Sequence, residues 1–415
     1  MVNAISSRFK MNHSALFGKR VLLGVTGSIA AYKSAILIRD LKKLGLEVRV
    51  IMSPGAKEFI TPLTLATLSE HQVYSDFTEN IEEGTWSNHV ELGLWADIFL
   101  IAPLTANTLS DLAHGKGDNL LLATYLSARC PIALAPAMDL DMFAHPSTTA
   151  NLESLRSRGH LIIGPESGEL ASGLIGKGRM TEPSDIIEAI AQFFLKSLPL
   201  LGKKMLITAG PTFEAIDPVR FIGNRSSGKM GVAIAEELAS RGAQVELICG
   251  PGSIKSMHPF ISRTNVESAM EMYDACFKRL NDVQVVVMTA AVADYRPANP
   301  SETKIKKKDE NLSLELVKNP DILAEMGQQK RPGQILVGFA LETDKAEENA
   351  VLKLEKKNLD MIVLNSLQNE GAGFGHDTNQ IKLIYSKEKI ISFELKSKQE
   401  VAKDIANAIT SLLNV

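Results

Sequence analysis

The amino-acid sequence predicts an α/β protein made of two Rossmann-like domains, each with a parallel sheet. Three observations carry this. Apolar runs of strand length alternate with amphipathic stretches of helix length along the whole chain, the pattern of βαβ units. The alternation stops at KSLPLLGKK (196–204), where Pro199 and Gly202 interrupt it, and then begins again. A length of 415 residues is too great for one ordinary domain and suits two. The expected division is an N-terminal tail at 1–17, a first domain at 18–195, a linker at 196–203 and a second domain at 204–415.

VLLGVTG (21–27) opens the first domain as a buried strand and leads into a helix near 30–44 that stops at Gly45. EVRVIMSP (47–54), IFLIAPL (98–104), PIALAPA (131–137) and LIIGP (161–165) continue the series of strands. LASGLIGKGRM (170–180) has three glycines, Gly173, Gly176 and Gly178, within six positions. A glycine inside a helix or strand costs about 0.5–1 kcal/mol, so this stretch is expected to be neither and to form a mobile flap. A helix at 183–195 follows, capped by Ser184 or Thr181. The second half repeats the pattern with KMLITAGP (204–211), a helix at 229–241, QVELICGP (244–251), VQVVVMTAAVADY (283–295), QILVGFALET (334–343) and MIVLNS (361–366). IKLIYSKEKIISFEL (381–395) alternates around a polar turn and reads as a β-hairpin, before a closing helix near 398–413. In sheets of this class ligands lie beyond the carboxyl ends of the strands.

Composition narrows the function. Hydrophobic residues make up 45% and charged residues 22%, the balance of a soluble globular protein. A net charge of −3 gives no reason to expect nucleic-acid binding. No apolar run approaches the ~20 residues of a membrane span, and the first 17 residues lack the apolar core of a signal peptide. Cys130, Cys249 and Cys276 are too scattered for a disulfide framework, so a reducing cytoplasm is the expected compartment.

In the first half, GVTGSIAAYK sets Gly24, Gly27 and Ser28 on a strand-to-helix turn. Backbone N–H groups and a hydroxyl at a helix start suit a phosphate, and equally a tight turn with a capping serine. The spacing is not that of a dinucleotide fingerprint. APLTANT places Thr105 and Asn107 at a second strand end, and two polar strand ends in one sheet favour a mononucleotide. SNHVELGLWAD puts His89 just before a helix, and PAMDLDMFAHP holds Met138, Asp139, Asp141 and Met142. Carboxylates at i and i+2 do not share a helix face, so the two aspartates are not an obvious acid–base pair.

GSIAAYK, NH-x-EL-x-x-WAD, APLTAN, PAM-x-x-x-M and G-x-GRM, in this order, resemble the flavin-dependent cysteine decarboxylases over about residues 18–190. The resemblance implies a flavodoxin-like domain with bound FMN. Gly27, Ser28, Thr105 and Asn107 would hold its phosphate and ring edge, and His89 would be the catalytic histidine. Asp139 and Met142 would meet the substrate. The family's reaction oxidises a cysteine moiety to a thioaldehyde, loses CO2 and returns the electrons. Two positions depart from the family pattern. Asp139 stands where the family has an asparagine, and an ionised carboxylate can only accept hydrogen bonds. Ser172 stands on the flap where well-known members carry a proton-donating cysteine, and an alcohol is a far weaker acid than a thiol of pKa about 8.5.

In the second half, GNRSSGKM (223–230) fits the spacing of a P-loop but has Met230 where Ser or Thr would ligate Mg²⁺, and it follows a loop instead of a strand. A nucleotide hydrolase of that class is excluded, whereas an anion at the helix start is not. TAAVADYRP puts Asp294 just past a buried strand, as a metal or ribose ligand or as a cap. KIKKKDE (304–310) is a cation cluster suited to a triphosphate or to solvent. VKNPDIL, with Asn319, offers groups to a base edge or starts a helix.

DPVR-x-I-x-N-x-SSGKMG, AAVADYR, KIKK, VKNPDI, GF-x-x-ET and KNLD closely resemble the phosphopantothenate–cysteine ligases over about residues 203–410. The resemblance implies a CTP-dependent ligase with Mg²⁺ or Mn²⁺. Asn224 would hold the acyl-cytidylate, with Arg220 beside the substrate. Lys304 would bind the triphosphate. Asp294, Asn319, Phe339, Lys353 and Lys357 would form the CTP site, with Asp294 also at the metal. The two resemblances together imply a bifunctional enzyme of coenzyme A biosynthesis acting on 4′-phosphopantothenate, cysteine and CTP. They also imply homo-oligomers, trimeric through the flavin domains and dimeric through the ligase domains. Given Ser172 and Asp139, the alternatives are an active ligase with an impaired flavin domain, or a flavin-binding regulatory module.

Overall fold

The RVLLGV run has no polar side chain between Val21 and Val25 and forms β1 (Arg20–Val25), the centre of the first sheet, in a computed structural model that describes residues 14–80, 85–256, 258–306, 312–342, 345–366 and 377–414. The chain divides into two units, Met1–Lys196 and Ser197–Val415. In the first, β1 is followed by α1 (Tyr32–Lys43), β2 (Glu47–Met52) and β3 (Val73–Tyr74). Beyond α2 (His89–Trp95) come β4 (Ile98–Leu104), α3 (Ala106–Ala113), β5 (Ile132–Pro136), α4 (Leu140–Ala144) and β6 (Leu161–Ile162). The strands are parallel in the order β3-β2-β1-β4-β5-β6. Buried residues fill β1 and β4, as strands covered by helices on both faces require. The strand order reverses between β1 and β4, which opens a crevice at their carboxyl ends.

The glycine-rich stretch corrects the expectation that it holds no strand. Residues 166–179 form an antiparallel hairpin of β7 (Glu166–Glu169) and β8 (Ile175–Arg179), turned at 170–173. The glycines permit contact. A Cβ on Gly178 (φ +152°) would overlap Met138 O, and the Met138 N–H donates to Gly178 O at 3.0 Å. A Cβ on Gly176 would press on the Leu140 side chain. Glycine lets the return strand lie against the backbone after β5. The helix that follows, α5 (Pro183–Lys196), is not capped as expected: Ser184 lies inside it and the Thr181 hydroxyl is buried without a partner. Ala15 and Leu16 are buried, so the packed unit begins before residue 18.

The second unit contains β9 (Lys204–Ala209), a hairpin of β10 (Phe213–Ala215) and β11 (Phe221–Gly223), α6 (Lys229–Ser240), β12 (Gln244–Cys249), β13 (Ile261–Asn265) and β14 (Val285–Met288). Then come α7 (Ile322–Gln329), β15 (Ile335–Glu342), α8 (Ala346–Lys356), β16 (Met361–Ser366), β17 (Ile381–Ile384), β18 (Ile390–Ser392) and α9 (Lys398–Leu412). The sheet order is β13-β12-β9-β14-β15-β16-β17-β18. The first six strands are parallel, and the expected C-terminal hairpin adds β17 and β18 antiparallel at the edge. The strand expected over 283–295 is shorter. After Met288 the backbone swings across β9: the Ala291 N–H donates to Gly210 O and the Ala293 N–H to Thr212 Oγ1. Asp294 therefore ends a six-residue loop and does not directly follow a strand. The segment expected as a linker is packed, with Leu200 fully buried and its N–H donating to Arg241 O at 2.9 Å. Among the described residues no helix is long and apolar enough to cross a membrane.

Gly173 (φ +84°) has open space around it, whereas Gly178 faces backbone. Alanine at either meets a disfavoured φ worth about 1–3 kcal/mol, and only Gly178→Ala adds an overlap. Thermal melts should therefore rank Gly178→Ala well below Gly173→Ala; equal losses would mean that the hairpin does not rest on this contact.

Candidate functional site

At the carboxyl end of the first sheet lies a cavity of about 450 Å³. Its lining includes Ser28, Lys33, Asp139, Glu169, Ala171 and Arg179. The turn after β1 forms one wall and the β7–β8 hairpin another. Ser28 Oγ accepts the Ala30 N–H at 3.2 Å, which leaves its own proton to donate. Gly27 is required here: an added Cβ would come within 2.9 Å of the Gly55 backbone.

Asp139 heads α4, its Oδ1 accepting the Leu140 N–H at 2.6 Å. Ser172 sits exposed at the hairpin turn, next to Ala171 but outside the lining. Five other expected residues, Gly27 and the four that follow, also lie outside it. Thr105 caps α3 through the Thr108 N–H, and the Asn107 amide donates to Asp111 Oδ2 at 3.3 Å. Met142 is exposed on α4. His89 opens α2, with its ring edge-on to Phe77 and Trp86 at 6.3 and 6.1 Å. Its Nδ1 is buried and has no hydrogen-bond partner, an arrangement that asks for an explanation in a native site. No cysteine lines this cavity, and burial pushes the Cys130 thiol up to about 11.

Lys33 was missed as a site residue. Its side chain is 4% exposed, and Nζ donates to Met180 O at 2.8 Å and to Glu182 Oε1 at 2.9 Å. Arg179 reaches the same Glu182 oxygen at 2.6 Å. The lysine thus ties α1 to the exit of the hairpin. The sequence signal was its register with Leu37 and Leu41 on the buried face of α1, where a lysine needs a partner. The Lys33 hydrogen bond, more than Arg179, holds the Glu182 carboxyl below its ordinary range.

The second sheet carries a cavity of about 510 Å³ at its carboxyl end. It brings together Asn224, Asp294, Asn319, Phe339 and Lys357. Asn224 Nδ2 donates to Val292 O at 3.0 Å and to Ala291 O at 3.3 Å. The Asn319 side chain donates to Ala293 O and accepts from Arg296, so it fixes the Asp294 loop. Lys357 pairs with Asp321 at 2.8 Å and holds that carboxyl low against the opposing effect of burial. A smaller space of about 70 Å³ shares Thr289 and Phe339 with this cavity and faces the start of α6, 226–231. Lys398 also lines it, 7% exposed, its pKa lowered by burial and then by Lys229; nothing in the local sequence marked it out.

Arg220, Lys304 and Lys353 are not brought into these linings. Arg220 is turned onto Asp217 at 2.6 Å, Lys304 is exposed on its loop and Lys353 is exposed on α8. The rest of the cation cluster, 307–310, and Thr343 lie outside the described residues. Among the described residues no three His, Cys, Asp or Glu side chains gather as a metal site.

The Lys33–Glu182 pair has a pH signature. Because the Glu182 pKa is lowered on folding, its stabilisation is complete above the ordinary value of 4.5 and is lost as pH falls through the lowered value. Lys33→Met should lower the melting temperature at pH 7 and flatten the loss of stability below pH ~4.5. An unchanged melt at pH 7 would remove the pair from the account of this unit.

Residues 10–195 match the family described as Flavoprotein. Residues 200–413 match the family described as DNA/pantothenate metabolism flavoprotein C-terminal domain. The chain is 51% identical over 359 residues to a cysteine/cysteine sulfinic acid decarboxylase of an unknown prokaryotic organism, covering 86% of this chain and 100% of that protein. It is 45% identical over 394 residues to the coenzyme A biosynthesis bifunctional protein CoaBC of Haemophilus influenzae, covering 95% and 98%. It is 44% identical over 401 residues to the protein of the same name from Vibrio vulnificus, covering 96% and 99%. With both matched domains in order and relatives of this similarity spanning nearly its whole length, the chain belongs to the family of coenzyme A biosynthesis bifunctional proteins.

Proposed function

We propose that this chain is a bifunctional enzyme of coenzyme A biosynthesis. The second unit joins 4′-phosphopantothenate to cysteine with CTP, through an acyl-cytidylate. The first converts the product, 4′-phosphopantothenoylcysteine, to 4′-phosphopantetheine with FMN. The observation that carries this is the relationship over both units to bifunctional coenzyme A proteins, which supplies both halves of one reaction sequence. Cytoplasmic residence, trimeric flavin units and dimeric ligase units belong to the same proposal.

The residues of the first unit fit FMN. The Gly27 turn packs against the Gly55 backbone with no room for a Cβ, which sets the 28–30 backbone and the Ser28 hydroxyl at the edge of a cavity of small-molecule size. Bound FMN supplies a two-electron acceptor and donor. The chain's own residues bind, shield and move protons. Gly27 and Ser28 hold the phosphate, with Thr105 and Asn107 toward the ring edge. The β7–β8 hairpin excludes water. His89 takes a proton at the substrate thiol or carboxylate, and its unpartnered Nδ1 supports a role that needs a further group. Asp139 and Met142 meet the substrate. With serine at 172, the last proton comes from water or another side chain, or more slowly from the alcohol itself.

In the second unit, Lys304, Lys353 and Lys357 offset charge that develops on the triphosphate of CTP. Asp294 would hold Mg²⁺ or Mn²⁺, an ion that would supply positive charge at the triphosphate and is commonly bound by one or two carboxylates. Phe339 and Asn319 face the base. Asn224 holds the acyl intermediate, and Arg220 stands by the phosphopantothenate.

A second reading has one observation in its favour: the 51% identical relative is named for decarboxylation of cysteine itself. On that reading the first unit acts on the free amino acid. One experiment separates the readings. Purified chain is incubated with 4′-phosphopantothenate, cysteine and CTP, and separately with cysteine alone. Pyrophosphate and CO2 in the full mixture only are expected. CO2 from cysteine alone selects the second reading, pyrophosphate without CO2 indicates an impaired flavin unit, and neither product leaves a flavin-binding module. His89→Asn should abolish CO2 release and leave pyrophosphate release intact; decarboxylation by that variant would remove His89 from catalysis.

A further inference from the structure

Asp217 opens the DPVR motif but was given no role by the motif reading, and its side chain is 0% exposed. Its Oδ1 accepts the N–H groups of Val219 and Arg220, both at 2.8 Å. Its Oδ2 accepts the Ile305 N–H at 3.2 Å and pairs with Arg220 Nη1 at 2.6 Å. Arg220 Nη1 also donates to Ile305 O at 3.3 Å. The peptide groups on both sides of Ile305, the residue after Lys304, are therefore held by one ion pair. The Ser301 N–H donates to Ile216 O at 2.9 Å and pins the loop on the other side of Lys304.

This clasp sits at the tip of the β10–β11 hairpin. The same hairpin leads from β11 straight into Asn224, which lines the large cavity. Two segments more than 80 residues apart in sequence are thus mounted on one turn. A lysine on a solvent-exposed loop has much rotamer entropy to lose and no fixed base unless its backbone is held. Among the described contacts, residues 301–306 are held to the rest of the chain by this clasp and by the Ser301–Ile216 bond, both at the same hairpin tip.

We propose that Asp217 is a positioning residue for Lys304: the Asp217–Arg220 pair fixes the main chain of the 304–306 segment relative to Asn224. It acts through Lys304 and touches no substrate. Arg220 thereby has a role independent of substrate contact. The inference rests on the reading of this unit as a nucleotide-consuming ligase.

The test is a double-mutant cycle on the full chain, read as pyrophosphate release from CTP with 4′-phosphopantothenate. Misplacement of a catalytic group by about 1 Å can lower the rate ~100-fold, so Asp217→Asn should reduce kcat by about 10–100-fold. The double variant with Lys304→Gln should be no slower than Lys304→Gln alone, within about twofold, because coupled residues are non-additive. Losses that multiply would overturn the proposal. Hydrogen exchange gives a readout that does not need turnover: the Ile305 amide should lose protection in Asp217→Asn, and retained protection would overturn the proposal. If Asp217→Asn does not fold, Asp217→Glu, which keeps the charge but moves it by one methylene, is read in the same two ways. A wild-type chain that folds but releases no pyrophosphate would sink the functional reading, and the exchange result would still decide the clasp.

Discussion

Both units depend on one interaction, a buried threonine hydroxyl at the point where the sheet changes direction. Two neighbouring parallel strands part there, and their last backbone groups lose ladder partners. A buried N–H without a partner costs about 1–3 kcal/mol. In the first unit Thr26, directly after β1, donates to Pro103 O at 2.7 Å and accepts the Thr105 N–H at 3.1 Å. In the second, Thr208 at the end of β9 accepts the Ala290 N–H at 3.1 Å, and Thr289 donates back to Thr208 O. Both Thr26 and Thr208 are fully buried. The crevice can open only because these hydroxyls replace the missing ladder bonds. Valine, the usual isostere, would keep the shape and leave the N–H orphaned.

Once the crevice is open, its walls must come close, and there glycine decides. Gly27 faces Gly55 across the first and second strand ends. In the second unit a Cβ on Gly250 would overlap Pro211 O, and one on Gly231 would overlap Thr289 Oγ1. The start of α6 can therefore lie against the end of β14, which aims its N–H groups at the space shared by Phe339 and Lys398. The hairpin over the first cavity uses the same device at Gly178. Close backbone approach, more than loop freedom, accounts for these glycines. Each cavity is consequently edged by close-packed turns as well as by side chains.

The alternation of apolar runs found the central strands of both sheets, because strands buried on both faces have no polar alternative, and missed the partly exposed edge strands β3 and β13. The GVTG turn was equally legible as a strand-to-helix turn. What sequence could not give was which polar side chains the fold consumes internally. Thr105 and Asn107, read as ligand groups, also brace α3, Thr105 by capping it and Asn107 by bonding Asp111, because a Thr at a helix start meets its own backbone first. Arg220 looked like a substrate cation and answers Asp217. Lys33 and Lys398 went unassigned because a lysine reads as surface until its burial is known. The run of glycines at 173–178 misled for a related reason: flexibility is local and visible in sequence, whereas contact with Met138 and Leu140 is not.

The Asp139 departure has a partial physical resolution in the first cavity. An aspartate there adds a negative charge where the proposed chemistry brings a substrate carboxylate. One of its oxygens already accepts the N–H of Leu140 at the head of α4. Lys33 and Arg179, both lining the cavity, converge on the single carboxylate of Glu182. That trio carries one net positive charge, and it borders the same space as Asp139. A cation shared between two neighbours can swing toward an incoming anion with less loss than one held in a one-to-one pair, because the remaining partner still neutralises Glu182. Arg179 is the better placed to move, since its side chain is 45% exposed while Lys33 is locked at 4%. The trio therefore offsets only part of the negative charge in this wall, where Glu169 stands beside Asp139 in the lining. The same linkage makes the hairpin an electrostatic part of the site as well as its cover.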